Sequence, residues 1–197
     1  MRAGLLVLAV AILAVLIGAG WVVSVNNELV ARDQAVQAAW GQVQNVYQRR
    51  ADLIPNLVET VKGFAAQERT VLEEVTRARA SASGVQLTPQ ALSDPEALRR
   101  FQEAQAQLGG ALGRLLVVVE RYPELKSNQN FLALQSQLEG TENRIAVERR
   151  RYNEAVREYN TAIRRYPAAL VASFRGFREK AYFAATPGSE AAPQIKF

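Results

Sequence analysis

QRRADLIPNLVETV, from Gln48 to Val61, places charges, a proline and an asparagine inside a run of apolar residues with helical spacing. A proline inside a helix costs about 3 kcal/mol or more, whereas in the first turn its missing N–H has no partner to lose. Asp52 as an N-cap would put Pro55 in the first turn of a new helix. The stretch therefore predicts a corner near Arg50. One helix kinked at Pro55 is the alternative, because the apolar spacing passes through without a slip.

Apolar residues recur every three or four positions through most of the chain after Leu29, which is typical of helices that bundle. No segment of useful length alternates with the period of two that indicates a strand. With a corner near Arg50, the pattern predicts four arms at 26–51, 53–81, 94–122 and 127–166, the third starting at a capping box of Ser93 and Glu96. The predicted fold is all-α, an antiparallel up-and-down helical bundle. It has four arms, or three if the first helix is only kinked at Pro55.

The chain begins with an apolar segment, AGLLVLAVAILAVLIGAGWVVSV, from Ala3 to Val25. As a helix this segment spans roughly 35 Å, against about 30 Å for the hydrocarbon core of a bilayer. A cleaved signal peptide is one alternative, although the apolar cores of such peptides run only about 7–15 residues. A buried core helix is the other, although no polar residue marks a solvent-facing side. We therefore predict that residues 1–25 form a retained transmembrane anchor. We expect a single-pass protein of the cell membrane, and Arg2 before the segment favours an extracytoplasmic bulk.

Composition limits the chemistry of this chain. Its 197 residues include no cysteine and no histidine, which removes thiol chemistry, the commonest general base and the commonest metal ligand. Glu139 and Glu142 have the spacing of a carboxylate pair, but metal-binding helical bundles also use histidine. We interpret this pair as surface charge. The sequence predicts no catalytic residue, no cofactor and no metal site.

The net charge of +5 arises in the C-terminal part of the chain. Residues 26–80 carry seven acidic and seven basic residues, whereas residues 126–197 carry seven acidic and twelve basic ones. Acidic residues interrupt the basic runs, which is typical of a solvated helix face with pairs at i and i+4. Contact with anionic lipid headgroups is the functional alternative.

Two long stretches resemble signature segments of the LemA family. They are AWGQVQNVYQRRADLIPNLVETVKGFAAQE at 39–68 and YPELKSNQNFLALQSQLEGTENRIAVERRRYNEAVREYNTAIRRYP at 122–167, and GFREKAYF at 176–183 is similar as well. The resemblance implies a small bacterial membrane protein with one N-terminal span and a helical bundle, and it carries over no activity. It implies structural or partner-contact roles for Arg49, Arg50, Asp52, Pro55, Asn56, Glu59, Tyr152, Asn153, Tyr159 and Asn160.

Two charged residues, Arg50 and Glu148, occupy core positions of their helical repeats. A lone charge in a core is costly, so each of them must be paired or reach water. We expect an internal ion pair that fixes the register of the helices, because polar core positions commonly do so in bundles. A switch or a partner contact inside the bundle is the alternative.

Tyrosines at 152, 159 and 166 recur every seven residues, and Asn153 and Asn160 follow the first two. Nucleic-acid binding would also combine aromatic and basic residues. We instead expect a buried tyrosine stripe whose hydroxyls find polar neighbours on adjacent helices, with the asparagines supplying further contacts.

These features predict a non-enzymatic, membrane-anchored helical-bundle protein, a scaffold or interaction module for proteins of the bacterial envelope. The alternatives are an anionic-lipid-binding module and a carboxylate-only metal protein or enzyme. The predicted domains are the anchor at 1–25, a LemA-like bundle at 26–183 and a flexible tail at 184–197. The expected partners are membrane lipid around residues 3–25 and an unidentified membrane or envelope protein, and no nucleic acid.

Overall fold

A computed structural model describes residues 2–184, with the side chains of residues 2–5 and 7 outside the description. The helices are α1 (Arg2–Phe64), α2 (Arg69–Gly84), α3 (Pro95–Val119), α4 (Pro123–Lys126), α5 (Gln129–Arg164) and α6 (Ala168–Arg175), with a 3₁₀ turn at Pro89–Ser93. Residues 2–184 contain no strand, so the predicted all-α class is confirmed. The predicted flexible tail at 184–197 lies outside the described residues, apart from Ala184.

The longest helix, α1, has 63 residues and carries the apolar segment into the bundle without a break. It is the one helix within residues 2–184 that is long and apolar enough to cross a membrane, and its most apolar window is not buried against the protein. A soluble core helix would bury such a surface. The chain therefore has an N-terminal candidate transmembrane helix that is continuous with the bundle.

The bundle pairs α1 with α5 and α2 with α3. The helices α1 and α5 are antiparallel, because Arg32 lies beside Glu158 whereas Arg50, further along α1, pairs with the earlier Glu142. The helix α2 returns along α1, and α3 runs back outwards. The prediction of an up-and-down bundle is therefore confirmed.

The predicted corner near Arg50 is wrong. The helix α1 runs through this stretch and ends at Phe64, so the first reversal lies at residues 65–68 and the predicted arm at 53–81 is divided between α1 and α2. Asp52 is not an N-cap. Its exposed carboxylate accepts a hydrogen bond from Nε2 of Gln48 at 2.7 Å, within the helix.

The reason that α1 tolerates Pro55 lies in α2. Pro55 has no N–H to donate to the carbonyl oxygen of Ala51, one turn earlier. The Nε of Arg79, on α2, donates to that oxygen at 2.8 Å. The carbonyl group is thus satisfied by a neighbouring helix, and α1 continues.

The start of α3 differs by one residue from the predicted capping box. The N-cap is Asp94 rather than Ser93, and its Oδ1 accepts a hydrogen bond from the backbone N–H of Glu96 at 2.9 Å. Pro95 occupies the first turn, where its missing N–H has no partner to lose. A short acidic side chain suits this position as well as a serine does.

The core forms two hydrophobic clusters along the bundle. The cluster nearer the anchor contains Trp40 and Phe101, and the distal cluster contains Ile54 and Phe131. Trp40 is only 2% exposed, and its ring centroid lies 5.3 Å from that of Phe101. Arg50 lies on α1 between the two clusters.

Candidate functional site

The chain that follows α6 forms a segment that we call the strap, residues 177–184, which lies against α5. The groove that holds it is formed by α1, α5 and the 3₁₀ turn. At the turn, the backbone N–H of Ala181 donates to the carbonyl oxygen of Leu92 at 2.8 Å. The strap is held by side chains of α5, which are described next.

Two asparagines of α5 bind the strap backbone in the same way. The Nδ2 of Asn160 donates to the carbonyl oxygen of Lys180 at 2.9 Å, and its Oδ1 accepts from the N–H of Lys180 at 2.9 Å. Asn153 makes the same pair of hydrogen bonds to Phe183, at 3.1 and 2.9 Å. Each amide thus satisfies both backbone groups of one residue, as a neighbouring strand would.

The two buried tyrosines of α5 add one hydrogen bond each. The hydroxyl of Tyr152 donates to the carbonyl oxygen of Ala181 at 3.1 Å, and that of Tyr159 donates to the carbonyl oxygen of Arg178 at 3.0 Å. Burial raises the pKa of Tyr152, and burial together with the nearby Asp33 raises the pKa of Tyr159 to about 12. Both hydroxyls are therefore donors throughout the physiological pH range.

The register of these contacts follows from the two chain geometries. Seven residues of α5 separate Asn153 from Asn160, and seven residues of a helix rise about 10.5 Å. Their partners Phe183 and Lys180 are three residues apart, and three residues of extended chain span about 10 Å. The heptad repeat of Tyr-Asn steps thus matches an extended strap that runs antiparallel to α5.

Two strap side chains anchor it to the groove. Phe183 is 5% exposed, and its ring centroid lies 6.0 Å from that of Trp40 and 5.3 Å from that of Tyr152. The Nζ of Lys180 lies 3.1 Å from Oδ1 of Asp33 on α1. The groove therefore has an aromatic pocket and an acidic pocket besides its backbone contacts.

The residues that the sequence singled out in the stretch at 122–167 come together in this groove. Tyr152, Asn153, Tyr159 and Asn160 all contact the strap. The prediction that they contact adjacent helices is wrong, since their partner is a non-helical segment. The prediction that the third tyrosine of the stripe is buried is also wrong, because Tyr166 follows the end of α5 and is 75% exposed.

The residues singled out in the stretch at 39–68 lie outside the groove, and they divide between the surface of α1 and the core. The exposed residues of this set on α1 are Arg49, Asp52, Pro55, Asn56 and Glu59. Arg50 alone points inwards, with 3% exposure. The structure therefore does not bring the residues of the two stretches into one site.

The predicted internal ion pair forms with a different partner. The Nη1 of Arg50 lies 2.9 Å from Oε1 of Glu142, and Nη2 donates to the backbone and side-chain oxygens of Gln105. Glu148 instead pairs with Arg151 at 2.8 Å. Since Glu142 is half-exposed, Arg50 reaches its partner at the edge of the core.

Backbone recognition is the chemistry that the groove supports. Its polar groups are amides, hydroxyls and one lysine–aspartate pair, which suit hydrogen bonding rather than proton transfer. Within the described residues, no three His, Cys, Asp or Glu side chains are grouped to hold a metal ion. Sequence reasoning found the groove residues but missed the strap. The available signal was the seven-residue repeat of Tyr-Asn steps on α5, whose spacing matches that of an extended segment.

Comparison with known proteins gives matches along most of the chain. The model of the LemA family matches residues 39–197. Magnetosome protein MamQ of Magnetospirillum gryphiswaldense is 28% identical over 209 aligned residues, which cover 96% of this chain and 77% of that protein. Magnetosome protein MamQ 2 of Paramagnetospirillum magneticum is 28% identical over 180 residues, covering 83% of this chain and 66% of that protein.

A more distant relative is protein LemA of Metamycoplasma hominis, which is 23% identical over 128 residues. That alignment covers 65% of this chain and 54% of the relative. The chain thus spans just under two thirds of the Paramagnetospirillum magneticum relative, at 66%, and about half of this one.

Proposed function

The chain belongs to the LemA family, and from this premise we propose that it is a non-enzymatic, membrane-anchored interaction module that organises other proteins of the bacterial envelope. The candidate transmembrane helix supports the placement at a membrane. The sequence, with neither histidine nor cysteine, supports a binding role rather than a catalytic one.

The strap groove is the observation that carries this proposal. Asn153 and Asn160 bind backbone groups, which every extended segment offers, and the aromatic and acidic pockets add selectivity for an apolar and a basic side chain. Peptide recognition by strand addition divides affinity and specificity in the same way. In the proposed function, an extended segment of a partner protein replaces the strap in this groove.

The position of the groove fits a role at a membrane surface. Its acidic pocket, at Asp33, lies eight residues along α1 from Val25, the last residue of the apolar segment. At 1.5 Å per residue, that is about 12 Å from the end of the anchor. Partners held there would lie next to the lipid headgroups.

A reversible staple tests the exchange. The double variant Arg164→Cys/Glu179→Cys, bridged by a bis-maleimide with an internal disulfide, joins α5 to the strap at two exposed side chains that pair in the native chain, and the native chain has no cysteine to interfere. Membranes that contain the full chain are crosslinked with the staple oxidised or reduced, and the crosslinked proteins are identified by mass spectrometry. We expect partner crosslinks to be lost in the oxidised form and to return on reduction.

The reduced form of the same variant is the matched control, because it differs only in the disulfide. Identical crosslinked proteins in both forms would show that partners do not enter the groove. Absence of any reproducible protein partner in either form would overturn the interaction module itself.

We further propose a single-pass topology with an extracytoplasmic bulk. Arg2 precedes the apolar segment, and positive residues favour the cytoplasmic side. A cysteine introduced at the exposed Val117 reports the side, through labelling of intact cells with a membrane-impermeant maleimide. Labelling only after cell lysis would reverse the proposed orientation.

A further inference from the structure

The anchor-proximal end of the bundle exposes large apolar side chains. Phe174 is 91% exposed, Tyr166 75% and Leu170 60%. Leu170 and Phe174 are four residues apart on α6, so they share one face of that helix. The opposite face of α6 buries Val171 and Ala172 against the bundle. A solvated helix would gain nothing from such an outer face.

The helix α6 is fixed at the level where the anchor ends. The Nε of Arg175 donates to Oδ1 of Asn26 at 3.0 Å, and Asn26 directly follows the apolar segment. A cavity of about 390 Å³ at the same end of the bundle is lined by Trp21 and Val25 of the apolar segment together with Tyr166. The exposed apolar face therefore continues the lipid-facing surface of α1.

Basic side chains accompany the apolar face. Arg157 and Arg165 line the same cavity. Among the described residues neither has an ion-pair partner, whereas Arg32, also at the cavity, is paired with Glu28 at 2.8 Å. Apolar groups beside free cations are the pattern of protein surfaces that lie in the headgroup region of a membrane.

We propose that these residues form a membrane collar, consisting of Tyr166, Leu170 and Phe174 with Arg157 and Arg165, that docks onto the lipid around the anchor. The apolar side chains enter the boundary between headgroups and acyl chains, about 5–10 Å deep. The two arginines contact headgroup phosphates. A lipid surface is the occupant because α1 holds the collar permanently at that surface.

The collar goes beyond the proposed function, since it requires neither the strap groove nor a protein partner. It requires only that the anchor is inserted. Its consequence is that the bundle is held in one orientation above the bilayer by two contacts, the anchor and α6.

The experiment uses the full chain in vesicles of phosphatidylcholine with or without phosphatidylglycerol. Ser173→Cys places an environment-sensitive fluorophore on α6 without removing a collar residue, and Val117→Cys, 71% exposed on α3, is the control. We expect the label at 173 to shift to shorter wavelength and to be quenched by lipids spin-labelled near the headgroup. The label at 117 should remain accessible to an aqueous quencher.

Replacement of the apolar collar residues by acidic ones provides the second variant. Leu170→Glu/Phe174→Glu, added to the Ser173→Cys chain, should abolish both the wavelength shift and the lipid quenching. In the chain with both arginines, the wavelength shift at 173 should be larger in vesicles with phosphatidylglycerol than in vesicles without it. Arg157→Gln/Arg165→Gln should remove this difference. These side chains are exposed, so the helical content measured by circular dichroism should not change.

Two outcomes would overturn the collar. One is a label at 173 that is as accessible to the aqueous quencher as the label at 117. The other is spin–spin coupling between nitroxide labels, attached at Ser173→Cys in place of the fluorophore, that persists when the protein is diluted in lipid, because it would mean that a second copy covers α6. Neither outcome bears on the groove, so the collar and the interaction module fail separately.

Discussion

Asn160 replaces, with one side chain, the hydrogen bonds that a β-strand would give to Lys180. A residue without an amide at this position would leave a backbone N–H and a backbone C=O of the strap without these partners. Each unpaired buried group costs about 1–3 kcal/mol. Single residues of α5 therefore decide whether the strap is bound, although the strap has no helical or sheet pairing of its own.

Trp40 is the residue whose loss we expect to be most costly. It is 2% exposed and contacts Phe101, Tyr152 and Phe183. Trp40→Ala should lower the free energy of unfolding by about 3–5 kcal/mol, because truncation of a buried aromatic leaves a cavity. Denaturant titration followed by circular dichroism measures this loss. A loss below about 1 kcal/mol, typical of surface changes, would contradict the burial.

The raised pKa of Tyr159 predicts a loss of stability at alkaline pH. Its pKa is raised to about 12 from 10.0, so the folded state keeps a proton that the unfolded state releases. The stabilisation is complete below pH 10 and is lost as the pH rises towards about 12. In Tyr159→Phe this part of the pH dependence should disappear, and stability at neutral pH should fall by about 1 kcal/mol with the lost hydrogen bond.

The control for that change is Tyr166→Phe, which removes an exposed hydroxyl outside the groove. It should retain the alkaline dependence of the wild-type chain in denaturant titrations at a series of pH values. If Tyr159→Phe also retains that dependence, the hydroxyl of Tyr159 is not protected by the strap.

Sequence alone predicted that Tyr152 and Tyr159 are buried and that their hydroxyls have partners. The first follows from the seven-residue repeat, and the second from the cost of burying an unpaired polar group. It did not predict the partner, because an extended strap has no periodicity to detect. For Arg50 the same reasoning predicted an internal ion pair but did not identify Glu142 as the partner, because Glu142 was interpreted as surface charge.

At the scale of elements, α1 shows how tertiary contacts override a local helix breaker. Local signals around Pro55 favoured a corner, since a proline in a helix interior removes a hydrogen bond. The missing donor is replaced by Arg79, which is 28 residues from Ala51 in sequence. No pattern within the helix itself contains this information.

This arrangement predicts a coupled pair of substitutions. Arg79→Ala should destabilise the wild-type chain by about 1–3 kcal/mol, because it leaves the carbonyl group of Ala51 without a partner. In a Pro55→Ala background the N–H of residue 55 can donate to that carbonyl group, so Arg79→Ala should cost much less. The free energies of unfolding of the four chains form a double-mutant cycle.

Arg77→Ala serves as the matched control, since Arg77 is an exposed arginine on the same helix. Its cost should be small and the same in both backgrounds. Equal costs of Arg79→Ala with Pro55 and with Ala at 55 would show that Arg79 does not compensate for the proline.

At the scale of the whole molecule, one helix joins the membrane to the distal tip of the bundle. The sequence predicted the long N-terminal apolar helix and the bundle correctly, because both depend on hydrophobic pattern. It did not predict that the same continuous helix reaches the distal tip, because the interpretation of Pro55 placed a corner near Arg50, between the first two arms of the bundle. The end of α5, α6 and the strap groove all lie near the candidate transmembrane segment, so the proposed partner binding and the proposed membrane contact share one end of the bundle.

The last prediction follows from the continuity of α1 between the apolar segment and the distal tip of the bundle. Lys62 is 37 residues beyond Val25 on α1, so an upright helix places it about 55 Å above the end of the anchor. A donor dye on Lys62→Cys, with acceptor dyes in the vesicle headgroups, measures this height by energy transfer. The same dye on Ser173→Cys, next to the collar, should lie close to the surface. If residue 62 were as close to the lipid as residue 173, the bundle would lie flat, and α1 would have to bend where it leaves the membrane.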